Sequence, residues 1–197
     1  MELTEFKYFR GPQGDMAGLC LEPTGCIFCG RVGPCFRLGA AICPTLDQAQ
    51  KENAHGCFSC LKAGRFQCWH DTEIGVLDES GLTHIYNHNK KPPSDFPRTA
   101  LVELRKTPQI VTWQQELWLI HCNDFMAYVG TWTPEDFYKN APDGDGRSLF
   151  LRMTDRYNHL WDSSLREGEE RLASWRATYY AFRCLHCGEL RGNWDCD

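Results

Sequence analysis

The chain has no apolar run of membrane-spanning length: stretches such as Leu117–Ile120 fall far short of the roughly 20 residues a spanning helix requires. Its first residues, MELTEFKYFRG, carry acids and no apolar segment, so no secretory signal is predicted. A surplus of positive charge is also missing, with 21 Lys and Arg against 26 Asp and Glu and a net charge of −5. That weighs against a nucleic-acid-binding zinc ribbon, which presents a basic face to phosphates. No low-complexity tract is present, and nothing repeats apart from short cysteine pairs. These absences predict a soluble, cytoplasmic protein with no membrane or nucleic-acid partner. Its 197 residues, 42% of them apolar, suffice for a real core.

Cysteine is abundant instead. Six of the twelve cysteines form three CxxC pairs, Cys26/Cys29, Cys57/Cys60 and Cys184/Cys187, and two pairs run straight into glycine at Gly30 and Gly188. That is the form of a zinc knuckle, a tight turn that aims two thiolates at one ion. In a reducing compartment such pairs read as metal ligands; a disulfide framework is the alternative, and the short CxxC loops weigh against it. Two knuckles must face each other to complete a tetrahedron, so Cys26, Cys29, Cys57 and Cys60 are expected to hold one structural Zn2+. Buried free thiols would have no reason for paired i,i+3 spacing. Four thiolates and one dication also deepen the net charge by about −2 relative to four thiols.

The pair Cys184/Cys187 has no obvious mate. A second zinc would need ligands from Cys68 and His70, from His121 and Cys122, or from Cys196; the alternative is a knuckle-shaped turn without metal. Cys20, Cys35 and Cys43 read as small apolar fillers.

The expected fold class is α+β: a single domain with an N-terminal four-cysteine module over residues 1–70 and a body over 71–197 that ends in the last CxxC knuckle. Residues 1–25 read as irregular, anchored by Phe6, Tyr8 and Phe9. A helix is expected to start at Thr45–Gln48. Strands are expected at Glu73–Leu77 and Leu82–Tyr86 around the turn Asp78–Gly81. Asn87–Pro97 is a proline-rich polar loop. Helical spacing of Trp118, Cys122, Phe125 or Met126, and Val129 predicts the main helix over Trp113–Val129. Thr133-Pro134-Glu135-Asp136 opens another helix, with Thr as N-cap and Pro in the first position. Ala141–Gly146 is a loop, Leu149–Leu165 a third helix, and Thr178–Cys184 a strand.

No catalytic residue is assigned. On the expected helix, His121 and Asp124 lie one turn apart beside Gln115 and Glu116, but no nucleophile or substrate cradle accompanies them. His84, Asn87 and His88 resemble a nuclease triplet without its ββα-metal context. Asp143 and Asp145 resemble a calcium loop that lacks its closing Glu.

The stretch Thr107-Pro108, then Trp113-Gln114-Gln115-Glu116, Trp118-Leu119, His121-Cys122 and Asp124 resembles the central signature of the CbrC family. The resemblance extends to Phe6-Lys7-Tyr8, the two N-terminal knuckles, Phe182-Arg183-Cys184-Leu185-His186-Cys187-Gly188 and Trp194-Asp195-Cys196-Asp197. The chain departs from the family pattern at Thr112 and Asn123, where small residues, usually glycine, are found, and in a Cys57/Cys60 knuckle without proline. CbrC-like proteins are bacterial, and the family is named for a member linked to tolerance of a DNase colicin. The resemblance implies a cytoplasmic protein connected with toxin resistance and supplies no active site.

Together with the acidic balance, it favours a non-enzymatic immunity protein that binds a basic toxin domain, a nuclease, with zinc holding the surface in shape. Trp113, Trp118 and Trp132 are its aromatic anchors or else core residues. The alternatives are a zinc-dependent enzyme with an open metal position and a regulatory zinc-ribbon module. Oligomeric state is not legible from the residues.

Overall fold

A computed structural model describes residues 6–83, 90–154, 161 and 177–196. Helices mix with small antiparallel sheets, an α+β arrangement. The first sheet holds β1 (Leu19–Gly25), β2 (Val32–Arg37) and β3 (His55–Cys57) in that order. Helix α1 (Gln48–Glu52) lies between β2 and β3, and α2 (Phe58–Lys62) follows directly. The helix starts where expected, and Asp47 caps it: its carboxylate accepts the Gln50 N–H at 2.8 Å, and the Gln50 side chain accepts the Asp47 N–H at 2.9 Å.

The second sheet is the meander β4 (His70–Thr72), β5 (Gly75–Asp78) and β6 (Gly81–Thr83), followed by α3 (Arg98–Arg105). The expected second strand of this region extends over 84–86, outside the described residues, as does the His84, Asn87, His88 triplet.

The expected main helix over Trp113–Val129 does not form. The chain instead runs through β7 (Ile120–His121), a two-residue turn, β8 (Asp124–Phe125) and β9 (Ala127–Trp132). Trp118 and Leu119 are both buried, and Phe125, Met126, Ala127 and Tyr128 are buried in succession. A run buried in succession carries no two-residue alternation, so apolar spacing there does not separate a strand from a helix. The break is decided at Cys122 and Asn123, whose φ values of 49° and 58° no α-helix accommodates.

The third sheet has the order β11-β10-β9, with β10 (Ala177–Arg183) between β9 and β11 (Leu190–Cys196). The strand expected at Thr178–Cys184 is thus β10. The other edge of β9 is covered by the N-terminal segment: Tyr128 N–H donates to Tyr8 O, and Arg10 N–H to Tyr128 O, both at 2.8 Å. Phe6, Tyr8 and Phe9 are buried there, as anchors should be.

Helix α4 (Pro134–Asn140) starts as expected, with Thr133 as N-cap and Pro134 in the first position; the Asp136 carboxylate also accepts the Thr133 N–H at 2.8 Å, and α5 (Gly146–Met153) follows. The predicted continuation of α5 over 155–160 and 162–165 lies outside the described residues.

One core cluster joins Cys26, Phe36, Leu61 and Phe66 to Leu104, Trp118, Tyr128 and Phe182. A second, with Trp132, Phe137, Phe150 and Trp161, seals α4 and α5 against β9 and β10. Trp118 and Trp132 are therefore core residues rather than interface anchors, whereas Trp113 is half exposed. Among the described residues no helix is long and apolar enough to cross a membrane.

Candidate metal centres

The first centre begins where β1 ends. Cys26 N–H donates to Arg31 O at 2.9 Å and Gly30 N–H to Cys26 O at 2.8 Å, folding Cys26–Gly30 into a tight loop. Gly30 has φ +71°, a left-handed conformation that glycine adopts without a Cβ clash. The loop packs over β3, whose last residue, Cys57, caps α2; Cys60 lies inside α2. Cys26 Sγ is 3.7 Å from Cys60 Sγ, and Cys29 Sγ is 3.7 Å from Cys57 Sγ; all four sulfurs lie within 4.8 Å of one another.

These spacings suit a metal ion rather than disulfides. Sulfurs in a disulfide sit about 2 Å apart. Four sulfurs at about 2.3 Å from a tetrahedral zinc lie about 3.8 Å from each other. The protonation pattern agrees. Burial pushes the Cys26 thiol up, but the N–H groups of Cys57, Phe28 and Cys29 outweigh it and hold Cys26 at about 7. Burial and the neighbouring thiols push Cys60 up. Four thiols this close cannot all ionise unaided; a cation at their centre removes the conflict.

The second knuckle repeats the first. Cys184 N–H donates to Glu189 O at 2.8 Å, Gly188 N–H to Cys184 O at 3.1 Å, and Gly188 has φ +77°. Its mates are His121 and Cys122. Cys122 Sγ is 3.7 Å from Cys187 Sγ, and His121 Nδ1 is 3.3 Å from the sulfurs of both Cys122 and Cys187. With Cys184 these atoms all lie within 4.8 Å of one another. The arrangement matches one imidazole and three thiolates around a tetrahedral ion. Burial opposes ionisation of Cys184, but the N–H groups of Cys187 and His186 and the His121 side chain bring its thiol down to about 6.

What places His121 and Cys122 is the β7–β8 hairpin. Residues 122 and 123 both have positive φ, the signature of a type I′ turn. Glycine is favoured at its second position; asparagine is among the few residues that tolerate the left-handed region, and Asn123 Nδ2 donates to Asp95 O at 3.2 Å. His121 and Asp124 are therefore cross-strand partners, not neighbours on a helix.

Asp124 is not a member of the ligand group and ties three segments together. It accepts hydrogen bonds from Tyr8 Oη at 2.5 Å and Lys7 Nζ at 2.8 Å, and His186 Nε2, inside the knuckle, lies 3.0 Å away. Burial pushes its carboxyl up, but these partners hold it below the usual range. Such outer partners fix the orientation of ligand-bearing loops. Glu73 plays a parallel role: Arg191 grips both its oxygens at 2.7 and 2.8 Å, Lys90 donates at 2.7 Å and Ile120 N–H at 2.8 Å. Asp195, in the C-terminal Trp-Asp-Cys, accepts the N–H groups of Trp113 and Gln114 at 2.8 and 2.7 Å and pins the loop before β7.

The remaining candidates do not join either centre. His70 is fully buried with Nδ1 2.9 Å from Glu116 Oε2. Burial and the nearby Glu116 push the Cys68 thiol up to about 12, the opposite of what a ligand needs. Cys196 pairs with Ala177 at the far end of the β10–β11 hairpin, whereas the knuckle follows the Arg183–Leu190 end; a hairpin of this length separates the two by about 20 Å. Cys35 and Cys43 are buried fillers, and Cys20 is half exposed. Glu116 and Gln115 surround no metal: Glu116 accepts the Ile110 N–H at 2.7 Å, and Gln115 donates to Asp71 at 3.1 Å.

No solved structure matches the chain. Its sequence matches a family over residues 3–196, nearly its full length. The chain, with two four-residue groups that could each hold a metal ion, belongs to the uncharacterised protein family UPF0167.

Proposed function

We propose that this protein is a non-enzymatic, cytoplasmic zinc protein of bacteria that protects its cell from an antibacterial toxin by binding the toxin domain. The observation that carries the non-enzymatic part is the completeness of both ligand sets. Each group offers four protein donors, and a tetrahedral ion so held keeps no position for water or substrate. Zinc in such sites stabilises the surface around it and does no chemistry.

The protective part rests on the CbrC resemblance, which spans the N-terminal segment, the knuckles, the 107–124 stretch and the C-terminal Trp-Asp-Cys. The net charge of −5 supports it. Nuclease toxins are basic because they bind phosphates, and an acidic partner gains both attraction at a distance and complementarity at contact. The test is recovery of the tagged protein from its own bacterium with identification of what accompanies it. A toxin domain in stoichiometric amount, and protection of cells that express both, is the expected outcome. Absence of protection against every toxin encoded by that bacterium and its close competitors would overturn the reading.

A further inference from the structure

A groove of about 360 Å³ opens on the face opposite the buried His70. It forms because the short strand β4 alternates: His70 and Thr72 turn inward, while Trp69 and Asp71 turn outward into the groove. Gln109, Gln114, Gln115 and Glu116 complete its wall, and no Lys or Arg lines it. Trp69 is 37% exposed. The amide nitrogens of Gln109 and Gln115 are engaged, with Trp69 O at 3.0 Å and Asp71 Oδ2 at 3.1 Å. Their oxygens are the ends left to accept a donor.

We propose that this groove binds the guanidinium group of an arginine side chain presented by a partner protein. A planar cation suits the polar and aromatic part of the lining. It stacks on the Trp69 ring. It pairs with the Asp71 carboxylate and distributes its five N–H donors over carboxylate and carboxamide oxygens. An ammonium has three donors and no plane to stack, so it fits less well. Free arginine would bring its own carboxylate towards two acids, which favours a side chain within a peptide over the amino acid.

Asp71 supports the assignment from a second direction. Burial pushes its carboxyl up; Gln115 pulls it down, the Glu116 charge adds to the rise, and His70 offsets part of it. A carboxylate held among too few positive partners gains most from an incoming cation. The site stands on its own lining, so it does not require the partner to be a toxin.

The experiment titrates N-acetyl-arginine N-methylamide into the zinc-loaded, 15N-labelled full-length chain. Seven tryptophans supply seven indole resonances, and Trp69→Phe identifies one of them. The Trp69 indole and the Gln109 and Gln115 side-chain amides are expected to shift saturably. Capped citrulline, equal in shape and uncharged, is expected to leave them in place, and free arginine to bind more weakly. Asp71→Asn is expected to weaken binding about tenfold or more with the rest of the spectrum and the zinc content unchanged. If that variant does not fold, Gln115→Ala provides the same readout from the opposite wall. Equal binding of capped citrulline or capped lysine, or shifts that avoid Trp69, would overturn the proposal. So would unchanged affinity in the folded variant.

Discussion

Replacing Cys184 with serine tests the second metal centre most directly. Cys184, with Cys187, completes a ligand set whose other two members, His121 and Cys122, lie some 60 residues earlier in the chain. Treated as a cross-link, a closed loop of that length restricts the unfolded chain by about 4 kcal/mol. For a chain of this size, each kcal/mol moves the melting temperature by about 2–4 °C, so Cys184→Ser is expected to lower it by about 8–16 °C. The variant should also bind one metal equivalent where the parent binds two, read by native mass spectrometry. Cobalt substitution separates the centres: sulfur-to-cobalt absorption scales with thiolate number, and the second centre holds three thiolates to the first centre's four. Cys184→Ser is thus expected to remove about three sevenths of that band, and Cys29→Ser about four sevenths. The serine itself sits in a buried position, so its packing cost must be subtracted. Comparing both proteins after chelation does this, because the difference should shrink to about 1 kcal/mol without metal. Retention of two metals with an unchanged melting temperature would refute the ligand assignment. Loss of both metals at once would refute the independence of the two centres.

Three further outcomes follow from the same geometry. Glu73→Gln leaves Arg191 and Lys90 without their shared carboxylate; both cations reach solvent, so the cost is expected at about 2–3 kcal/mol in urea unfolding, and a change under about 0.5 kcal/mol would show the cluster to be idle. The folded-state partners hold Glu73 and Asp124 below the ordinary carboxylate range, so their contribution is fully present above about pH 4 and lost as pH falls through the lowered folded values. Glu73→Gln should therefore lose less stability than the parent on acidification, and parallel losses would contradict the assignment. Asn123→Ala forces alanine to φ 58° and removes the bond to Asp95 O, for a cost of about 1–2 kcal/mol, whereas Asn123→Gly should remain within about 1 kcal/mol of the parent; equal effects would dismiss the type I′ turn.

The first centre was legible because its information is local. A CxxC followed by glycine encodes a turn within five residues, and its counterpart, Cys57/Cys60, carries the same spacing. The starts of α1 and α4 were legible for the same reason, since the residues that close them, Asp47 with Gln50 and Thr133 with Asp136, lie three apart in the chain. The second centre was legible by half. Cys184/Cys187 announced itself, but its mates are an adjacent His121-Cys122 with no spacing motif. The one local clue was Asn123, a residue suited to left-handed turns, within a run whose apolar positions also fitted a helix.

Composition, charge and short-range spacing by themselves determined an α+β chain with three thiolate pairs, one complete ligand set and acidic balance. Only tertiary structure decided that Phe125–Tyr128, running through β8 into the start of β9, are buried in succession, which hid the alternation that marks a strand. Only tertiary structure brought a β-hairpin turn to within 4 Å of a knuckle some 60 residues away. It also placed Trp69 and Asp71 on an open face with Gln115 and Glu116. Turns and caps are closed by neighbours in the chain, so their residues encode them directly. Contacts between distant segments depend on how the core packs, and that is settled by the whole sequence together.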